Sequence, residues 1–463
     1  MRRLVTLVIA CLLTYFNIMV AQDDLPTRLV ASDYRLTYDQ TRTLGVDVHA
    51  LAFFKNNEFG GPQATGYTLP GFWLQPRLTW QPLDAVRLEA GFHAAVFDGA
   101  SRYPCFAYRD IARWKADHYQ RGAHLLPFLR AQAQLRDVTF VLGNIYGGAN
   151  HRLVEPLMNA EVNLSQDPEM GFQLLVDRPR YHLDAWINWQ SFIFREETHQ
   201  EAFTVGFSQR IALAPHPSPL TFYIPVDILI QHRGGEIDVS GMGVQTIDNA
   251  AVGLGLRWDA NRNVLNGLTA EALALGCWQQ TGGLWPFDSG LGAAATLSAD
   301  LLAYAPRKGL TGRSSHSPAA GSAAYSQRGE ITNTGQLRLF ATVVYAKDFV
   351  PIYGAPFFST ISQKTGNRFS HVLTPHIGLE WSHTFAGDYV LGAKVDTYLA
   401  FTGDEKAEVS IASEPSAEPS SAEVPIASAT GTPTSLSSAF SNNFSFGVFL
   451  RCSPHFLIKH FSR

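Results

Sequence analysis

Residues 69–96 read LPGFWLQPRLTWQPLDAVRLEAGFHAAV, and their rhythm decides the fold. Phe72, Leu74, Pro76, Leu78 and Trp80 fall on one side of an extended chain, while Trp73, Gln75, Arg77 and Thr79 fall on the other. Side chains alternate between the faces of a strand, so this is one strand with a single apolar face. After the turn Pro82-Leu83-Asp84-Ala85 the pattern returns, with Val86, Leu88, Ala90, Phe92, Ala94 and Val96 opposed to Arg87, Glu89, Gly91 and His93. The two stretches predict a hairpin of long strands.

The same pattern extends outward along the chain. Residues 125–135, with Arg130, Gln132 and Gln134 on the polar side, turn at Arg136-Asp137 into 138–146. Pairs at 170–177 and 181–194, 202–213 and 220–232, 250–258 and 268–279, and 372–385 and 389–401 repeat it. These strands are about 9 to 13 residues long, the length that crosses a bilayer at a tilt and about twice the globular norm. Short turns alternate with long connections at 55–67, 98–124, 147–169, 234–245, 348–367 and 403–440. With a first strand at 43–54 and a last at 443–456, the count is about 16, with 14 and 18 as alternatives.

An apolar strand face needs a covering layer, and the sequence holds no amphipathic helices to supply one. Lipid can cover it. An open edge in hydrocarbon would leave backbone amides and carbonyls unpaired, so the sheet must close. The expected fold is therefore all-β, a transmembrane antiparallel barrel, with short periplasmic turns, long outer loops and a lumen wide enough for an aqueous channel.

The chain opens with Arg2-Arg3 and an uncharged apolar run to Ala21, which reads as a signal peptide over 1–21. Val8-Ile9-Ala10-Cys11 makes a lipid anchor the runner-up. Residues 22–42 are expected as a periplasmic segment and 43–463 as the barrel. Within it, 306–335 reads as a flexible insertion and 404–440 as a low-complexity outer loop. Loss of Arg2 and Arg3 takes the net charge from −4 to −6, which argues against nucleic acid as a partner. Cys105, Cys277 and Cys452 are widely spaced without CxxC, so neither a disulfide framework nor a zinc site is indicated; Cys105–Cys277 is the one bridge to consider.

Gly143-Asn144-Ile145-Tyr146-Gly147, Trp186-Ile187-Asn188-Trp189-Gln190 and Lys347-Asp348-Phe349-Val350-Pro351-Ile352 look like segments of Bacteroides-group barrels. With the long alternating strands and the loop asymmetry, they make the chain resemble the porin-like outer-membrane barrels of Gram-negative bacteria. The resemblance implies an outer-membrane location, lipid and the barrel-assembly machinery as partners, and passive diffusion of small polar solutes. A homo-oligomer is an open alternative. It also implies that the connection after the fifth strand, 147–169, folds inward. Glu155, Glu161, Asp167 and Glu169 of that connection would then face Arg77, Arg87 and Arg130 across a constriction. Glu89, Gln132 and Gln134 complete the expected pore lining. The plainer reading makes these loop acids and wall arginines ordinary solvated charges.

Trp73, Trp186 and Tyr223 fall on polar sides, where they could stack on a sugar ring, although an interfacial girdle is the better account of barrel aromatics. No GxSxG, HExxH, P-loop or paired CxxC occurs, and Gly290-Leu291-Gly292 reads as strand glycine. His371, His376 and His383 do not share one face. The expectation is a pore without enzymatic activity, cofactor or metal. The rivals are a barrel enzyme acting on lipid or surface polysaccharide, and a surface receptor or adhesin using 98–124 or 405–438.

Overall fold

Alternating strands of this length close into one barrel. The computed structural model describes residues 24–97, 122–194, 199–213, 218–239, 241, 243–260, 262, 264–304, 334–385, 389–406 and 439–461. The strands are β1 (Thr43–Phe59), β2 (Tyr67–Leu83), β3 (Val86–Phe97), β4 (Gly122–Leu135), β5 (Val138–Asn144), β6 (Met170–Arg178), β7 (Tyr181–Ser191) and β8 (Ala202–Ala212). They continue as β9 (Leu220–Arg233), β10 (Gln245–Asp259), β11 (Leu265–Thr281), β12 (Ser289–Tyr304), β13 (Thr334–Lys347), β14 (Val372–Phe385) and β15 (Tyr389–Thr402). The segments Ala439–Cys452 and His455–His460 both pair with β1, so they form a single strand, β16, broken at Ser453-Pro454. Since β1 also pairs with β2, the sheet closes as 16 antiparallel strands.

The first strand runs past the expected 54 to Phe59, which shortens the first outer connection to 60–66. The signal peptide, residues 306–333 of the expected insertion, most of the loop at 404–440, and Cys105 lie outside the described residues, and Thr334 and Gly335 already belong to β13. Cys277 is a free, buried thiol. Phe72, Leu78 and Trp80 point outward and are exposed, whereas Arg77 and Thr79 between them are buried inside. A one-residue slip would reverse both sets, so the lipid fixes the register.

The lumen is filled. Residues 24–42, expected as a periplasmic segment, instead enter the barrel from the short-turn end. Asp24 caps a one-and-a-half-turn helix, α1 (Leu25–Val30), by accepting from the Thr27 amide, and Pro26 sits in its first turn. Leu25 and Leu29 are buried. Beyond α1, Leu36 N donates to Gln134 at 2.8 Å and Gln81 donates to Thr37 O at 3.0 Å, tying the segment to the wall near the turns. From the other end, the connections 145–169 and 348–371 descend into the lumen. Phe349, Phe357, Phe358 and Phe369 of the second are fully buried, each worth roughly 2 to 3 kcal/mol of apolar transfer. The two connections touch where Asn159 N donates to Tyr353 O at 3.0 Å. Gly148 starts the first descent at φ +43°, and a Cβ there would stand 2.0 Å from Asn163 Oδ1, so glycine is required.

Candidate functional site

The wall residues expected to line a pore all face inward, but the contents of the lumen engage them. Glu89 accepts from Arg77 at 3.0 Å and pairs with Arg87 at 3.0 Å and Arg130 at 3.3 Å. Three guanidinium groups thus converge on one carboxylate within the wall itself. Arg130 also donates to the carbonyls of Asn144 and Ile145 and lies over the Tyr146 ring, 3.7 Å from its centroid. Arg87 donates to Tyr146 Oη, and Gln132 donates to Tyr34 O.

The loop acids do not face these arginines, which corrects the expected constriction. Glu155 instead accepts from Thr342 at 2.9 Å and from His376. Glu161 accepts from Asn57 at 2.8 Å and Tyr67 at 2.6 Å and lies 3.7 Å from Lys55. Glu169 accepts from Gly148 N at 2.8 Å and from His151 at 2.9 Å, and Asp167 is partly exposed. The arginines already have Glu89, so Glu155 and Glu161 find other wall cations, His376 and Lys55, while Glu169 pairs with His151 of its own connection. Connection 145–169 is thereby a crossbar, held to β7 at one end and to β14 and β15 at the other.

Both ends use the same device. His151 meets Asp184 at 2.8 Å and Glu169 at 2.9 Å, with its ring stacked on Trp186 at 3.5 Å. His376 meets Glu155 and, at 3.2 Å, Asp396, with its ring stacked on Tyr398 at 3.8 Å. Carboxylates only accept, so each imidazole must carry both protons. Burial works against the charged His151, but Glu169 and Asp184 outweigh it and hold the group up at about 9. Gly206 lets the Trp186 ring lie flat, since a Cβ there would fall 2.0 Å from Trp186 Cζ2.

Trp73, Trp186 and Tyr223 are all buried on the lumen side and take no part in a girdle, contrary to the girdle reading. Trp73 packs on His93 at 5.6 Å, and Tyr223 Oη donates to Glu271 at 3.1 Å. Between α1, the crossbar and the wall remains a cavity of about 60 Å³, whose charged lining includes Asp24, Glu155, Arg210, Glu271 and Lys394. That is room for a few waters and too little for a permeating sugar.

A second polar group lies outside the barrel, where the strand phase calls for lipid-facing residues. His232 continues the outward series of Ile228 and Ile230 on β9, yet it is an imidazole. Its register partner on β10 is Thr246, whose Oγ1 sits 2.9 Å from His232 Nδ1. Asp248 follows Thr246 on the same face and accepts from Gln280 of β11; its Oδ1 has no hydrogen-bond partner among the described residues. The β10–β11 register shifts at Thr246, which leaves Gln280 as the extra residue of a bulge that aims it at Asp248. An aromatic row leads to the pair, with Trp189 stacked on Phe203 at 5.0 Å and Phe203 on His232 at 4.9 Å. That row sits at the long-loop end, the depth of an interfacial girdle.

A hydroxyl hydrogen-bonded to an imidazole is the minimum apparatus for nucleophilic attack on a carbonyl. The sequence reading missed it because the two residues are 14 apart and match no short motif. A signal was present all the same: His232, Thr246 and Asp248 are polar residues in the apolar phase.

Among curated proteins, none matches the sequence significantly. Solved structures that resemble the fold include the outer membrane protein OprD from Pseudomonas aeruginosa, at 10% identity and TM-score 0.41, covering 93% of this chain and 99% of that one. OccAB4 of Acinetobacter baumannii, at 10% identity and TM-score 0.40, covers 91% and 100%. These likenesses carry no functional weight. A family model described as lipid A 3'-O-deacylase-type matches residues 36–309, a span that includes His232, Thr246, Asp248 and Gln280. The description is that of an enzyme, and it overturns the expectation of a barrel without activity. With more than half of its length matched, this chain, a 16-stranded barrel of the Gram-negative outer membrane, belongs to the lipid A 3'-O-deacylase-type family.

Proposed function

We propose that the barrel hydrolyses a fatty-acyl ester of a lipid A-type glycolipid, at the hydroxyl–imidazole pair on its lipid-facing rim. The observation that carries this reading is the Thr246–His232 contact, placed within the matched segment and at the girdle depth where acyl esters of an outer-leaflet glycolipid lie. The filled lumen supports it, because a substrate arriving from the leaflet needs no path through the barrel.

In the reaction, Thr246 Oγ1 attacks the ester carbonyl carbon while His232 Nδ1 takes the hydroxyl proton. The tetrahedral intermediate collapses by breaking the bond to the sugar oxygen, which leaves with the proton that His232 returns. Water then adds to the acyl-threonine carbonyl, losing its proton to His232, and the carboxylic acid departs as Thr246 recovers its hydrogen. Asp248, two register positions farther down and on the same face, supplies negative charge toward the imidazolium that forms twice in the cycle.

The test is incubation of the purified barrel with lipid A in mixed vesicles, read by mass spectrometry. Loss of one acyl chain, abolished in Thr246→Ala and retained in Thr246→Ser, is the expected result. Equal product from wild type and Thr246→Ala would remove the hydroxyl from the mechanism.

The second reading, passive diffusion of small polar solutes, is favoured by one observation: the inner wall is polar around its whole circumference. It requires the crossbar and α1 to leave the lumen. Planar-bilayer conductance of the intact chain tests it, with steady single-channel currents as the supporting outcome and a sealed bilayer as the contrary one.

A further inference from the structure

The last strand runs past its neighbour. β15 begins at Tyr389, whose register partner on β16 is Cys452, so the segment His455–His460 lies beyond the end of β15, at the short-turn end of the barrel. On its other side the segment pairs with β1, from His455 opposite Asp47 to His460 opposite Thr43. Among the described residues no strand pairs with the edge that β15 leaves, and all six residues of the segment are exposed. Such an edge, about 20 Å long, is a row of backbone donors and acceptors that proteins ordinarily cover or blunt.

The segment is held, not frayed. Val48 N donates to Pro454 O at 3.0 Å and Phe461 N donates to Arg42 O at 2.8 Å, so both of its ends are tied down, and His455 bonds Asp47 between them. Residues of an antiparallel strand bond alternately to one side and the other, so with Pro454 turned to β1 the peptide groups of Leu457 turn to the open side. The register runs without a slip from Cys452 to Leu457, so Phe456 keeps the outward phase of Val448 and Leu450. Phe456, Leu457 and Ile458 are 56%, 54% and 56% exposed, an apolar run that nothing in the barrel covers among the described residues. Charge at this edge is one-sided. Lys459 and His460 end the segment and Arg42 is bonded to its far end, whereas Asp47 is engaged by His455 and Asp84 lies on the β2–β3 turn, two strands away.

We propose that the open edge of His455–His460 takes an extended acidic segment of a periplasmic protein as an added strand. Backbone bonds at Leu457 set the register, Phe456 and Ile458 meet apolar side chains of the incoming strand, and its carboxylates meet Lys459 and Arg42. A second copy of the chain is the poorer occupant. Edge-to-edge pairing of two such segments would set both Lys459 side chains and four histidines on one short ladder, where like charges repel. The role is a tether, which holds a soluble partner at the inner surface of the outer membrane, at the opposite end of the barrel from the hydroxyl–imidazole pair. It does not depend on the hydrolase reading.

The experiment uses the full, folded chain in detergent micelles and, as probe, a fluorescein-labelled octapeptide of alternating glutamate and valine, read by fluorescence anisotropy. Saturable binding is expected. The same peptide N-methylated throughout lacks the backbone donors and should bind about tenfold more weakly. Lys459→Glu, in a barrel whose heat-modifiable band shows it still folded, should weaken the glutamate peptide about fivefold and favour its lysine–valine counterpart. Absence of binding, equal binding of the N-methylated peptide, or indifference to Lys459→Glu would each overturn the proposal. Concentration-dependent dimers that the peptide does not dissociate would assign the edge to a second copy. Binding to the unfolded chain that is lost once the barrel closes would assign it to assembly, and either of these results overturns the proposal as well.

Discussion

The lumen and the outer rim hold the same chemical parts and use them in opposite ways. Inside, His151 lies between Glu169 and Asp184, and His376 lies between Glu155 and Asp396. Each imidazole has both nitrogens committed to carboxylates and one face covered by an aromatic ring, so neither can accept a proton. On the rim, His232 has Nδ1 on a hydroxyl, with carboxylate Asp248 two register positions away on the same face. Histidine surrounded by acids is a fastener, whereas histidine facing a hydroxyl is, on the proposed reading, a base. Burial strengthens the first arrangement, since breaking a buried ion pair strands a charge. Access to a substrate makes the second useful.

The comparison breaks most decisively on activity. His232→Ala should lower the deacylation rate by about 10²–10⁴-fold, the usual worth of a general base. His376→Asn should leave the rate per folded molecule within about twofold, since distant sites couple weakly. Loss of activity in a folded His376→Asn barrel would move the reactive centre into the lumen.

Stability should respond in the opposite order. Glu169→Gln removes one clamp from the buried His151 imidazolium and should cost about 3–5 kcal/mol, the range for breaking a buried pair. The readout is a lowered temperature for the heat-induced shift of the folded band on gels. Thr246→Ala should not move that temperature. Coincident losses in both variants would erase the distinction between fastener and base.

A smaller effect sharpens the electrostatic part. The folded-state value of His151 is raised to about 9, above the ordinary value near 6.5. Its contribution to stability is therefore complete below about 6.5 and is lost as pH rises through about 9. Amide exchange in 145–169, corrected for its intrinsic pH dependence, should accelerate between pH 8 and pH 10, on the order of the titration range. Flat protection across that window would mean that Trp186 and backbone contacts hold the crossbar without the charge. The smallest effect is expected from excising 407–438. This low-complexity stretch follows the short ladder of Glu405–Lys406 with Arg368–Phe369, and its removal should change stability by less than about 0.5 kcal/mol.

Much of this was legible without tertiary structure. Alternation along 69–96 and its repeats implied a closed transmembrane barrel, because which face a strand residue takes is a local property of the extended chain. The same parity marked Arg77, Arg87, Glu89 and Arg130 as inward-facing, whereas Thr246 and Asp248 fell between the expected loop 234–245 and the expected strand 250–258 and so took no face. The absence of a short catalytic motif argued for a pore only while the reactive residues were sought close together in sequence.

Tertiary structure alone decided what each residue meets. Glu155 is 221 residues from His376, and Asp24 is 370 from Lys394; closure of the sheet and descent of the loops bring them together. That α1 plugs the lumen could not be read from its composition, since a short capped helix is stable only in what it packs against. Likewise, only the full length of β10 and the β9–β10 register, set by the pairing of complete strands, put His232 and Thr246 side by side on the outside. Facing is a property of one residue and its neighbours in sequence, whereas adjacency is a property of the whole closed sheet.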